Sequence, residues 1–112
     1  MADMPDHWFQ ILLALAGEDR HGLAITKDVF ERTGGRMHLW PGKLYGALRR
    51  MTDEGLVIEV RAPGTFVSGG GRPRFYRITA LGRRRCAAEA ERLAAFVATA
   101  RSRRLLKGPR SN

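Results

Sequence analysis

Apolar positions along the chain fall into four helical stripes and two short strand-like runs. From Pro5 to about Ala16 two neighbouring stripes are apolar, Trp8, Leu12, Leu15 on one and Phe9, Leu13, Ala16 on the next, and Gly17 follows as a stop. A helix with so wide an apolar face in a small domain must be covered on two sides, here by its own core and by a second subunit. Trp8, Leu12 and Leu15 are therefore expected at a subunit interface; a first helix buried centrally in one chain is the alternative. His21 to about Thr33 forms the second helix, with Leu23, Ile25, Val29 and Phe30 apolar, and Gly34 and Gly35 end it because glycine takes positive φ at little cost.

The central stretch is Trp40 to Leu56, WPGKLYGALRRMTDEGL. Pro41 suits a first helical turn, where its missing N–H is not needed, and Gly55 suits the left-handed residue beyond the last turn. Leu44, Leu48 and Met51 lie at i, i+4, i+7, a narrow stripe that must face a core. The opposite side offers Lys43, Tyr45, Arg49 and Arg50. So short a helix needs tertiary packing to persist in water.

Leu56 to Arg61 (LVIEVR) and Arg74 to Thr79 (RFYRIT) read as strands, the second with Phe75 and Arg77 on one face and Tyr76 and Ile78 on the other. Between them Pro63, Gly64 and Gly69 to Gly71 rule out regular structure at the tip, giving a hairpin wing that carries Arg72 and Arg74. Thr79 can cap a last helix from Ala80 toward Leu105, stopped by Gly108 and Pro109. Cys86, Ala90, Leu93, Val97 and Ala100 recur along it at coiled-coil spacing. A helix of about 25 residues spans about 37 Å, more than the rest of the domain can cover, so it is expected to cross to a partner chain. The fold class is thus mainly α with a small β-wing (α+β). Residues 1–79 form a winged helix-turn-helix domain, 80–107 a C-terminal dimerisation helix, and 108–112 a frayed tail.

The charge is segregated. The whole chain of 112 residues carries a formal +9, yet residues 1–35 hold three basic and six acidic side chains while 36–112 hold seventeen basic and five acidic. Solubility alone requires no such separation; a polyanionic partner for the second part of the chain does. Met1 to Asp6 lacks a basic leader, and the longest apolar run, Ile11 to Ala16, is far too short for a membrane span. One cysteine, Cys86, excludes an internal disulfide framework, and a reducing cytoplasm is expected. His7, His21 and His38 lack metal-ligand spacing, and the triple glycine precedes a strand rather than a helix, so neither metal, cofactor nor catalysis is called for.

Helices in this order followed by a wing suit DNA, because the B-form major groove admits one α-helix. Four separated motifs, HGLAI (His21 to Ile25), PGKLYGAL (Pro41 to Leu48), EGLV (Glu54 to Val57) and RFYRITALGRR (Arg74 to Arg84), together resemble the PadR family of bacterial transcriptional regulators over about residues 8 to 105. The resemblance implies a homodimer joined by its first and last helices on a near-palindromic DNA operator, usually a repressor released by a small molecule. It also implies that the central helix is the recognition helix, with Tyr45, Lys43 and Arg49 near DNA. Trp40 stands where the family commonly has a small hydroxyl cap, Lys43 where serine or threonine is frequent, and Leu23 where a tyrosine is usual.

Duller readings stay open. Tyr45 can be a core-edge side chain, Lys43 and Arg49 solvated charges, and Arg50 either a phosphate contact or an ion-pair partner of Asp53 or Glu54. Arg72 and Arg74 can enter a minor groove or clamp phosphate. Arg83, Arg84 and Arg85 can approach DNA flanks or form a hydrated patch. Trp8 and Phe96 can stack on a planar apolar effector between subunits or be plain interface core. Cys86 reads as a small buried hydrophobe more readily than as a redox switch. Gly22 and Gly46 are expected to permit close helix packing. The alternative function is a protein-interaction module whose last helix pairs with a different chain without specific DNA readout.

Overall fold

The computed structural model describes residues 4–64 and 74–107. In chain order they form α1 (Asp6–Gly17), β1 (Arg20–His21), α2 (Gly22–Arg32), α3 (Pro41–Asp53), β2 (Val57–Val60), β3 (Phe75–Ile78) and α4 (Ala80–Ser102). This is a winged helix-turn-helix, mainly helical with a small antiparallel sheet, continued by one long helix.

The helix ends follow from local chemistry. His21 caps α2 by accepting the Ala24 N–H at 3.4 Å on Nδ1, and Gly34 and Gly35 take φ of +64° and +80° just beyond the last turn. Gly55 closes α3 with φ +79°, which lets Leu56 N–H return to the Met51 carbonyl at 2.8 Å. Thr79 Oγ1 accepts the Gly82 N–H at 2.9 Å and donates to the Gly55 carbonyl at 2.6 Å, so one hydroxyl caps α4 and ties it to the end of α3. Two arginines do the corresponding work at the carbonyl end of α1: Arg20 Nε donates to the Ala14 oxygen at 2.8 Å and Arg83 to the Ala16 oxygen at 3.1 Å.

The sheet order is β1-β3-β2, all antiparallel, with Val57 opposite Ile78, Val60 opposite Phe75, and His21 also opposite Phe75. The strand β1 has no sequence signature, being two residues pressed between helices. Within β3 Phe75 is buried, its ring meeting His21 edge-on at 5.2 Å, while Arg77 is exposed.

The first helix packs on α2, α4 and β3 at once, around a core that includes Ile11, Leu12, Leu15, Ile25, Leu39, Leu48, Met51 and Leu56. This corrects the expectation that Trp8, Leu12 and Leu15 face a second subunit. Leu12 and Leu15 are 0% and 1% exposed and Trp8 8%, so within a single protomer they have no surface left to share. Cys86, expected on the partner-facing seam of α4, is likewise buried in the protomer; burial, and then the Glu89 charge, raise its thiol pKa and keep it protonated. Beyond Glu89 the helix changes character. Ala90, Leu93, Phe96 and Val97 are exposed and Ala100 is half-buried. The helix ends at Ser102, short of the expected Leu105, where Arg104 takes a left-handed φ of +64°.

Candidate nucleic-acid interface

The stripe Leu44, Ala47, Leu48 and Met51 anchors α3 in the core, which turns Gly42, Lys43, Tyr45, Gly46, Arg49 and Arg50 outward. Charge on this face is not neutralised internally. Arg20, Arg32, Arg77 and Arg92 each reach a carboxylate, whereas among the described residues none of Lys43, Arg49 and Arg50 forms an ion pair. The alternative of an Arg50 bridge to Asp53 or Glu54 is thus not realised. The first turn of α3 carries no acid, and its N-cap, Trp40, makes no side-chain cap hydrogen bond. The amide end and its partial positive charge therefore face outward unsatisfied by the side chain, beside Lys43.

Tyr45 is both things the sequence allowed. It is 42% exposed, yet its ring leans on the first residue of α2: a Cβ built on Gly22 would overlap the Tyr45 hydroxyl and lie 2.9 Å from Cζ. Gly22 thus permits close packing, as expected. Gly46 does not, because a Cβ there meets nothing within 4 Å, and the same is true of Gly42. These two glycines, at i and i+4, leave a low strip along the outward face with cations on its flanks.

Between α3 and the wing runs an open groove of about 240 Å³ lined by Tyr45, Leu48, Arg49, Thr52, Asp53, Glu59, Arg74 and Tyr76. Arg74 is exposed at its rim, while Arg72 lies outside the described residues. Tyr76 is buried opposite Glu59 in the ladder; burial raises its phenol pKa, against the opposing effect of a hydrogen bond with Arg74. The groove brings Tyr45, Arg49 and Arg74 together from separate parts of the chain. The acid-bearing wall of Asp53 and Glu59 escaped the sequence reading; the Glu59 to Tyr76 pairing is set by strand register, which alternation alone does not specify.

The other candidates disperse. Arg83 is committed to the end of α1. Trp8 lies in the core while Phe96 is 59% exposed on α4, where the Arg92 guanidinium sits 5.4 Å from its ring centre. His7 is half-buried at the start of α1, its pKa lowered by burial and then by the Lys43 charge, which places it near the amide end of α3. Among the described residues no cluster of histidine, cysteine and carboxylate side chains could hold a metal ion, and no helix is long and apolar enough to cross a membrane.

Solved structures share this architecture. A PadR family transcription regulator from Clostridium difficile superposes with a TM-score of 0.73 at 24% identity, covering 88% of this chain and 97% of that one. A transcriptional regulator from Thermoplasma acidophilum gives 0.65 at 26% identity, covering 93% of each. Bacillus subtilis PadR in complex with operator DNA gives 0.63 at 21% identity, covering 75% of this chain and 46% of that one. Among curated proteins nothing matches. The model of the transcriptional regulator PadR-like family matches residues 11–88, most of the chain and all of the helix-turn-helix and wing, and the chain belongs to that family of transcriptional regulators.

Proposed function

We propose that the protein is a sequence-specific DNA-binding regulator that acts in the cytoplasm as a homodimeric repressor on a near-palindromic operator. The observation that carries this reading is the outward face of α3, where Lys43, Arg49 and Arg50 are exposed and, among the described residues, have no carboxylate partner, while four arginines elsewhere are engaged. A buried or neutralised face would offer a phosphate backbone nothing. Residues 1–79 contact DNA, with Lys43, Tyr45 and Arg49 toward the bases and Arg50, Arg72 and Arg74 toward phosphate. A DNA complex is known for the Bacillus subtilis relative, which supports the same docking here.

Dimerisation falls to residues 80–107. Leu93, Phe96 and Val97 are exposed on α4, beyond the part of that helix that Cys86 and Glu89 bury against the protomer. Leu93, Phe96 and Val97 leave apolar area of α4 exposed in one protomer; pairing two such helices removes it from water at about 25 cal/mol per Å². A planar apolar effector has Phe96 to stack on, and it changes operator affinity only by binding one arrangement of the dimer more tightly than the other.

Selection of bound duplexes from a random pool, followed by sequencing, tests the reading. A palindrome with half-sites about one helical turn apart, or a multiple, is expected, with log K falling against log salt at a slope of about −5 to −9 for six to ten neutralised phosphates. Sedimentation should give a dimer. A monomer that selects no duplex would instead favour the exposed end of α4 as a docking helix for a different chain.

A further inference from the structure

We propose that Trp40, braced by His38 and Phe30, is a specificity residue of the DNA interface that reads a thymine methyl group in the major groove. The inference rests on the DNA-binding reading above and adds to it a contact that charge does not supply. Trp40 is 65% exposed although it directly precedes α3, and its side chain neither makes a cap hydrogen bond nor enters the core. Its ring is nonetheless held: it stacks on His38 at 4.1 Å with the planes 29° apart, and His38 in turn meets the Phe30 ring edge-on at 5.7 Å.

Phe30 belongs to α2, so His38 links the indole to that helix. Pro41 fixes the backbone immediately after it. The free side of the indole therefore stands pre-oriented at the amide end of the recognition helix, continuous with the cationic face that starts at Lys43. Residues at that end of such a helix are the ones that reach base edges.

The chemistry of the ring selects its partner. An indole is a broad apolar surface with a single N–H donor, and the one apolar group on base edges in the major groove is the C5 methyl of thymine. The stack on His38 restricts the indole in the free protomer, so less conformational freedom is left to lose when such a surface covers it.

The test uses the full-length protein and a duplex recovered by selection. Replacing each thymine by deoxyuridine deletes one methyl group at a time. At one position per half-site, wild-type affinity should fall about fourfold, the factor expected for one buried methyl. Trp40→Ala should bind the parent duplex about tenfold more weakly and be indifferent to uracil at that position. Acrylamide quenching gives a second readout that does not depend on the variant: Trp8 is buried and Trp40 is not, so the quenchable emission of the free protein should become shielded in the complex. A duplex that binds with the expected salt dependence while Trp40 stays quenchable, or while every uracil substitution affects wild type and Trp40→Ala equally, would overturn this inference and leave DNA binding intact. Failure to select any duplex would overturn both.

Discussion

The phenol of Tyr45 occupies the volume that a side chain at residue 22 would need, so the start of α2 and the outward side of α3 meet through one ring. That ring is 42% exposed, and its far end can swing toward solvent. Gly22→Ala should therefore cost little stability, about 1 kcal/mol or less in urea unfolding. It should still weaken operator binding, because Tyr45 is displaced from its place beside Arg49. A large loss of stability with unchanged DNA affinity would make Tyr45 a core residue and nothing more.

Gly82 presents the opposite case. A Cβ there overlaps the Leu56 carbonyl oxygen and comes within 2.9 Å of Ile78 Cγ1, and the backbone of Leu56 is fixed by the Thr79 N–H, which donates to that same oxygen at 3.0 Å. That backbone carbonyl cannot rotate aside as a side chain could. Gly82→Ala should destabilise by about 3 kcal/mol, measured by thermal or urea unfolding, with α4 shifted from the end of α3. The pair distinguishes a glycine that faces a movable side chain from one that faces backbone.

How much of this was legible in the sequence depends on the range of the interaction. The bounds of α3 follow from Pro41, Gly55 and one apolar stripe, all local, and the structure reproduces them. The wing strands are legible from β-branched runs, and the Thr79 cap from its place before Ala80. The partner of an apolar face is not local. Trp8, Leu12 and Leu15 announce burial correctly, but whether the cover is α2, β3 and α4 or another subunit is decided by packing geometry that periodicity does not encode. The role of Gly46 has the same origin: a glycine in a helix signals close approach, and only the fold reveals that no protein group approaches it. Trp40 reads in sequence as a missing cap; its stack on His38, and the contact of His38 with Phe30, come only from the fold.

Acid should reveal the clamp between β3 and the turn that joins α1 to β1. Arg77 donates to Asp19 at 2.8 Å through Nη2, and this hydrogen bond, ahead of the charge itself, holds the Asp19 carboxyl below its ordinary pKa of 3.8. A carboxyl whose pKa is lower folded than unfolded stabilises the fold fully above the unfolded value and progressively less as pH falls through the folded one. The stability difference between wild type and Asp19→Asn should be constant above about pH 5 and shrink below about pH 4. Denaturant unfolding at a series of pH values measures it; a difference that grows in acid would reverse the sign and exclude the pair as its cause.

Gly46 tests whether stability and binding are opposed on the recognition helix. A glycine inside a helix is less stable than alanine there by about 0.5 to 1 kcal/mol, and at residue 46 a Cβ meets no protein atom within 4 Å. The fold thus gains nothing from the glycine, and Gly46→Ala should raise unfolding stability by about that amount. If the low strip of Gly42 and Gly46 exists so that the helix backbone can lie close to the floor of the groove, the same methyl group stands in the way. Operator affinity should then fall while the salt slope, set by the phosphate-facing Arg50, Arg72 and Arg74, is unchanged. A variant that is more stable and binds as tightly as wild type would show that DNA does not approach α3 along this strip.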